Sequence, residues 1–491
     1  MDILLIRPND AKQVYGDIVE NAACEPPFWA AVIASYCRMK IKEVDISILD
    51  AEVYNMSPEK VVKYVKQNKP RMIIIVVTGT NLSASTWKMQ GASICAKAIK
   101  EIDDIPMLMW GLHPSALPER TLFEEDIDYV IKGEGLQAIV DLYDAIYANN
   151  FIRLDSIKGL YYKDGFGEVK GNEEFDLCDE KFFPEPAWDL LPMERYRAHN
   201  WQQFGDFSSK PYGVIATSLG CPFRCSFCAV HTLFGNRTVR FFPAEKVIEW
   251  IDCLVLKYGI KYLKILDENF VLNKKHVTEI CDLLISRNYN LNIWAYARID
   301  TVDQELLFKM KRAGINWLAY GIESASELVL SDVSKNQYTV EKIENVIKMT
   351  KKADINVLAN FMFGLPDDTR ESMEETLKFA RKINPEFINF YCTMAYPGSD
   401  LYKDYETSNT YLPINWLAFS QYSYECEPLA TKNLTSKEVL AFRDFAFQAF
   451  FKDNEVYFDN IRRRFGQETV NKIKKMLAKK LNRKLLENGG K

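Results

Sequence analysis

The sequence predicts an α/β fold: two successive parallel-sheet units followed by a helical carboxyl-terminal region. Three observations carry this expectation. Short apolar runs alternate with 3.6-periodic helical patterns from residue 1 to about 148. The same alternation resumes at Tyr212 and yields six strand–helix units. It then stops, and residues 406–491 read as helices alone.

In the first region Ile3 to Ile6, Val44 to Leu49, Met72 to Val77, Met107 to Trp110 and Tyr129 to Ile131 read as strands, with helices over 28–39, 58–67, 85–100 and 136–147. Such alternation implies a parallel sheet covered by helices on both faces, with ligands bound at the carboxyl ends of its strands. Residues 149–205 read as a linker. Lys163-Asp164-Gly165-Phe166-Gly167 marks a small hairpin between Leu160-Tyr161-Tyr162 and Val169, and Pro184, Pro186 and Pro192 mark extended chain.

Strands are expected next at 212–218, 261–267, 291–297, 316–321, 355–363 and 386–393, with helices at 243–257, 275–286, 303–312, 339–352 and 370–382. Six β/α units make an open partial barrel over residues 206–405. In the last region 436–451 and 468–486 are the clearest helices. Ile473, Met476, Leu477, Leu481 and Leu485 fall on one stripe, and residues 460–491 carry eleven Lys/Arg against two Glu. The plain expectation is a solvated helix on the barrel, the other a surface for an acidic partner or anionic membrane.

The composition suits a globular chain of 491 residues, 48% hydrophobic and 26% charged. A net charge of −5 argues against general nucleic-acid binding. The opening Met1-Asp2-Ile3-Leu4-Leu5-Ile6-Arg7 lacks signal-peptide character, and no transmembrane helix is expected. Eleven cysteines, scattered singly apart from one cluster, fit a reducing cytoplasm rather than a disulfide framework.

That cluster is Cys221-Pro222-Phe223-Arg224-Cys225-Ser226-Phe227-Cys228, placed after the first barrel strand. It offers three thiolates on one tight loop and leaves a metal centre one position without a protein ligand, which is where chemistry takes place. The other readings are a zinc knuckle completed by His231, or three incidental thiols. The spacing, with Phe227 before the last cysteine, resembles the signature of the radical S-adenosylmethionine superfamily. The resemblance implies that Cys221, Cys225 and Cys228 hold a [4Fe-4S] cluster whose fourth iron chelates S-adenosyl-L-methionine. An electron passed to that sulfonium then yields a 5′-deoxyadenosyl radical.

Later strand-end motifs extend the likeness. Asp267, Glu268 and Asn269 resemble the second-strand segment at the methionine end. Arg298 is expected to pair with its carboxylate, and Glu323 and Ser324 to receive ribose or amino groups. Gly364 permits close approach to adenine. Ala395-Tyr396-Pro397-Gly398-Ser399 is equally well a turn or a substrate contact.

The amino-terminal region resembles the cobalamin-binding domain that one class of these enzymes carries ahead of the barrel. The likeness rests on Glu25-Pro26-Pro27-Phe28-Trp29-Ala30, the Thr78-Gly79-Thr80-Asn81 loop, Gly111-Leu112-His113-Pro114 and Gly133-Glu134-Gly135. It implies a Rossmann-like domain over residues 1–148 whose 78–82, 111–114 and 133–135 loops cradle cobalamin. The Asp-x-His-x-x-Gly motif is absent. Cobalamin is therefore expected to bind without that histidine, its lower face left to the 78–82 loop or to water.

The resemblance implies a cobalamin-dependent radical enzyme, foremost a C-methyltransferase acting on an unactivated carbon of a small metabolite or peptide side chain. It implies an electron donor such as ferredoxin or flavodoxin. Its alternatives are a radical cyclase that uses cobalamin without methyl transfer and a non-enzymatic iron–sulfur carrier or sensor. A methylthiotransferase would need a second amino-terminal cysteine cluster, and Cys24, Cys37 and Cys95 are far apart in sequence.

Overall fold

The apolar runs assemble into two sheets in the computed structural model, which describes residues 1–147, 153–206, 208, 211–235, 237–335 and 338–487. The first sheet comprises β1 (Ile3–Arg7), β2 (Ile46–Asp50), β3 (Met72–Val77), β4 (Met107–Gly111), β5 (Tyr129–Ile131), β6 (Leu160–Lys163) and β7 (Val169–Gly171), in the order β2-β1-β3-β4-β5-β6-β7. Every residue of β1, β3 and β4 is buried, as an uninterrupted apolar strand covered on both faces requires.

The hairpin expected around Lys163–Gly167 forms there, as β6 and β7, and it joins the first sheet. Strand β6 pairs antiparallel with β5, so β6 and β7 extend the first sheet and make it mixed. Pairing satisfies the edge that β5 would otherwise leave open. Strand order reverses between β1 and β3, so the loops after these two strands flank the crevice where such sheets bind ligands.

The second unit begins with β8 (Tyr212–Ile215), shorter than expected because Thr217 turns to bond Asp267. Strands β9 (Ser218–Leu219) and β10 (Arg240–Phe241) form a two-stranded clasp around the cysteine loop. Then come β11 (Tyr262–Ile265), β12 (Asn292–Ala297), β13 (Ile315–Glu323), β14 (Asn356–Phe363) and β15 (Phe387–Cys392), all parallel, in the order β15-β14-β13-β12-β11-β8. This is the six-unit open barrel anticipated from the alternation.

Indoles floor the barrel. Trp201, supplied by the segment between the sheets, lies 5.0 Å from Trp317 and 5.3 Å from Trp294, ring centre to ring centre. Helices Glu455–Phe465 and Gln467–Leu477 close the underside, and Phe465 stacks on Trp317. The helix expected over 468–486 therefore stops at Leu477, and a separate turn, Lys484–Glu487, follows. The break has a reason. Arg483, buried, donates to the Gln421 and Ser423 carbonyls and pairs with Asp444.

The two units meet through buried polar contacts. The Lys264 ammonium, fully buried on β11, pairs with Glu25 at 2.9 Å and donates to the Thr80 carbonyl at 2.5 Å. Burial opposes ionisation of Glu25, yet Lys264 and His199 together hold its carboxyl down to about 2. Arg240 on β10 pairs with Glu134, and Ser420 donates to the Val14 carbonyl. Removing one partner strands a buried charge at a cost of about 3–5 kcal/mol. Lys264→Met is expected to lower the urea midpoint of the purified protein clearly, with most of the loss recovered in the double variant Lys264→Met, Glu25→Gln.

Candidate functional site

Three thiols project from the loop between β9 and β10, at the carboxyl end of β8. Two features shape that loop. Gly220 takes φ 94°, and a Cβ there would lie 2.4 Å from the Thr238 carbonyl oxygen. Asp267, buried, accepts from the Thr217 amide, the Thr217 hydroxyl and the Ser218 hydroxyl, each at 2.6 Å. Asp267 thus braces the strand that enters the loop instead of facing a ligand. Cys221, Cys225 and Cys228 are half-buried. Burial pushes the Cys221 and Cys228 thiols up to about 12 and about 11, so they call for a cationic centre to become thiolates. His231 pairs its Nε2 with the Phe223 carbonyl at 2.8 Å, while its Nδ1 is buried without a partner.

Around the thiols the strand ends converge. The Arg298 guanidinium lies 3.5 Å over the Phe223 ring, with Nη1 3.9 Å from Cys225 Sγ. Its Nε and Nη2 are both given to Asp300, at 2.9 and 3.0 Å. Arg298 therefore clamps the cysteine loop, and only the rest of its fork is free for a carboxylate. Asn269 Oδ1 accepts from the Arg298 amide at 3.3 Å, while its Nδ2 is buried without a partner. Burial holds the half-buried Glu268 carboxyl up at about 8.

Glu323 ends β13 at φ 65°, a strained conformation for a residue with a side chain. Lys335, which the sequence did not set apart from other lysines, supports it. Its ammonium reaches Glu323 at 2.6 Å and the Gly321 carbonyl at 3.0 Å, 5.8 Å from the Phe227 ring centre. Ser324 is internal, within 3.2 Å of the Thr376 hydroxyl. Gly364 takes φ 81°, and a Cβ there would meet Val439 at 2.5 Å, so its bare backbone admits helix Ser436–Phe451.

The amino-terminal loops differ in how far the chain itself covers them. Thr78, Gly79 and Thr80 are half-buried and Asn81 exposed. This loop reaches the thiols: Ser83 Oγ accepts from the Ala229 amide at 2.7 Å, next to Cys228. In the other two loops most of the expected residues already have protein neighbours. Gly111 lies against β3, where a Cβ would sit 2.0 Å from the Val77 carbonyl oxygen. His113 is fully buried, edge-on to Trp416 at 4.5 Å, with Pro114 buried beside it. Phe175 packs on Gly133, Gly135 abuts Ile131, and Glu134 is locked to Arg240 and the Cys178 amide.

Comparison with known proteins matches this arrangement. The profile of the B12 binding domain covers residues 17–143, and that of the Radical SAM superfamily covers residues 215–380. An uncharacterized methyltransferase, PH0819, of Pyrococcus horikoshii is 31% identical over 95% of this chain and 96% of its own. The chain belongs to the cobalamin-dependent radical S-adenosylmethionine enzymes. The anaerobic magnesium-protoporphyrin IX monomethyl ester cyclase of Rubrivivax gelatinosus is 27% identical over 82% of this chain and 70% of its own. The cobalamin-dependent S-adenosylmethionine radical enzyme OxsB, solved with aqua-cobalamin and S-adenosylmethionine, shares the fold at a TM-score of 0.70. It has 16% identity and covers 97% of this chain and 71% of its own.

The cofactors of this radical enzyme are accordingly a [4Fe-4S] cluster, S-adenosylmethionine and cobalamin. The residues present fit them. Asp10 Oδ2, Trp87 Nε1 and His113 Nε2 are buried polar atoms without partners along the carboxyl edge of the first sheet, and Asn269 Nδ2 is another beside the thiols. Unpartnered buried groups of this kind mark where an absent polar partner belongs.

The turn after β14 carries its own titration. Asp368 accepts from the Gly364 and Leu365 amides and the Ser372 hydroxyl, yet burial outweighs these bonds and raises its carboxyl from 3.8 to about 6. The folded state then holds the proton more tightly than the unfolded chain, and stability from this group falls as pH rises from 3.8 to about 6. In the cofactor-free protein, Asp368→Asn is expected to flatten the dependence of the thermal midpoint on pH across that window.

Proposed function

We infer that this enzyme is a C-methyltransferase acting on an unactivated carbon of a small metabolite or peptide side chain. One observation carries the reading. Ser83 on the open 78–84 loop bonds the Ala229 amide beside Cys228, so the loop of the cobalamin-binding unit and the loop of three thiols border one space. Methyl transfer to carbon requires a hydrogen-abstracting centre and a methyl carrier to face the same atom in turn, and adjacency supplies that without moving the substrate.

In this reading Cys221, Cys225 and Cys228 would hold the cluster, and the Thr78–Asn81 loop would border cobalamin. When bound, the cluster with S-adenosylmethionine supplies the radical and cobalamin the methyl group, the protein supplying place and environment. Lys335 and Glu323 present opposite charges at the β13 end, suited to the carboxylate and amino groups of a methionine moiety. Arg298 and Asp300 keep the thiol loop in register. The indole floor and the helices beneath it keep water from entering from below. An electron donor such as ferredoxin or flavodoxin would supply the reducing electron.

The relative named as a methyltransferase over nearly its full length supports transfer, while the cyclase relative keeps ring formation as the competing outcome. Two measurements test this. Anaerobically reconstituted Cys225→Ala is expected to lose both the four-iron signal and 5′-deoxyadenosine formation; turnover equal to the parent protein would refute the ligand assignment. With S-adenosylmethionine bearing a deuterated methyl group, label is expected in a carbon-bound methyl of the product, and product without label would point to cyclisation.

A further inference from the structure

Two helices of the barrel begin at one cleft, beside the β9–β10 clasp. The cleft has a volume of about 350 Å³ and is lined by Phe241, Phe242, Ala244, Glu245, Lys275 and His276 among others. None of the residues that line it belongs to the set around the thiols. It adjoins the clasp directly, since Phe241 pairs with Ser218 and the Phe242 amide donates to the Thr217 carbonyl at 3.0 Å.

Helix Ala244–Tyr258 has 15 residues and helix Lys274–Arg287 has 14, and both start at the cleft. A helix start carries partial positive charge and presents amides that find no partner in their own helix. The chain treats these two starts differently. Asn273 Oδ1 caps the second helix, accepting from the Lys275 and His276 amides at 3.1 and 3.2 Å. Pro243 precedes the first helix and offers no side-chain acceptor, and among the described residues nothing accepts from the Ala244 and Glu245 amides.

His276 supplies the complementary need. It is 6% exposed, lies edge-on to Phe241 at 5.0 Å ring to ring, and lines the cleft. Burial pushes its imidazole below the ordinary value, which keeps the ring neutral, and the ring donates to the Thr217 carbonyl. Nε2 is buried without a partner. The donating nitrogen is therefore Nδ1, and Nε2 carries a lone pair that nothing in the chain satisfies. Unused donors and an unused acceptor thus meet at one cleft, where each is costly to leave unmet.

The helix starts favour an anion, and the imidazole lone pair requires a donor on that same ligand. An ionised carboxylate or a sulfate has acceptors only. A phosphate group gives up its second proton at about pH 6, and while it keeps that proton it both accepts and donates. The charged rim suits one small anion rather than a polyphosphate. Its two ammoniums, Lys181 and Lys275, stand among three carboxylates, Glu180, Glu245 and Glu279, with Lys275 3.8 Å from Glu279.

We propose that this cleft binds a phosphate group that keeps a proton, as hydrogen phosphate or a phosphate monoester, the Ala244 and Glu245 amides donating to its oxygens and His276 Nε2 accepting from its hydroxyl. The site is independent of the methyl-transfer reading.

Binding of radiolabelled inorganic phosphate to the cluster- and cobalamin-loaded enzyme is measured by equilibrium dialysis near neutral pH. Saturating S-adenosylmethionine is present, so that the open iron of the cluster is not available to phosphate. One phosphate per chain is expected, with sulfate competing about tenfold less well for want of a donor. His276→Phe keeps the ring contact with Phe241 and loses the lone pair. Ala244→Pro removes one amide at a helix position that accepts proline. Each is expected to weaken phosphate about tenfold and to leave S-adenosylmethionine affinity and 5′-deoxyadenosine release unchanged. The two variants alter different helices, so misfolding of one leaves the other to decide. Displacement of the label by phenyl phosphate identifies a monoester as the ligand and its failure the free ion; both support the site. No saturable phosphate binding at millimolar concentration, sulfate competing equally, or binding that neither variant alters would overturn it.

Discussion

Lys264 occupies an inward-facing strand position with no access to water, and its pairing with Glu25 is the tie on which the relation between the two sheets depends. The same ammonium reaches the Thr80 carbonyl, so one charge anchors both the entry to the first long helix of the amino-terminal unit and its open loop. A buried ion pair contributes little net stability against an apolar alternative, but it punishes any arrangement that separates its members. Here that penalty maintains the meeting of the 78–84 loop with the cysteine loop, sealed by Ser83 and Ala229.

From this tie the interior follows. The amino-terminal unit is held at the end of the barrel that carries the cysteine loop, and the indoles of Trp201, Trp294 and Trp317 close the opposite end. On the outer face of the sheet, helix Ser436–Phe451 takes up the large apolar side chains of Phe363 and Phe390. Polar braces keep the rim rigid: Asp267 under the cysteine loop, Asp300 on Arg298, Lys335 on the strained Glu323. Preorganisation of this kind places the cost of ordering in folding rather than in binding.

Several residues singled out by motif turn out to build the rim instead of facing a ligand. Asp267, Ser324 and Glu134 are acidic or hydroxyl groups of the kind that hold ligands, and each is buried on partners from distant parts of the chain. Nothing in a linear pattern separates a carboxylate that braces a strand from one that faces a cofactor, since both recur at strand ends. Lys335 shows the converse. One lysine among many in sequence, it is buried at the site by the turn that precedes it.

The sequence by itself determined the alternation of strands and helices, the division into two sheets, the three-thiol loop and the absence of an Asp-x-His-x-x-Gly motif. These are local features, set by periodicities of two or 3.6 residues and by spacing within one loop. Only the tertiary structure decided that the linker hairpin joins the first sheet, that the last helix breaks at Leu477, and that Lys335 meets Glu323 and Ser83 meets Ala229. Each of those depends on which groups from far-separated segments meet in the dry interior, where an unpaired hydrogen-bonding group is costly and every pairing is therefore selective.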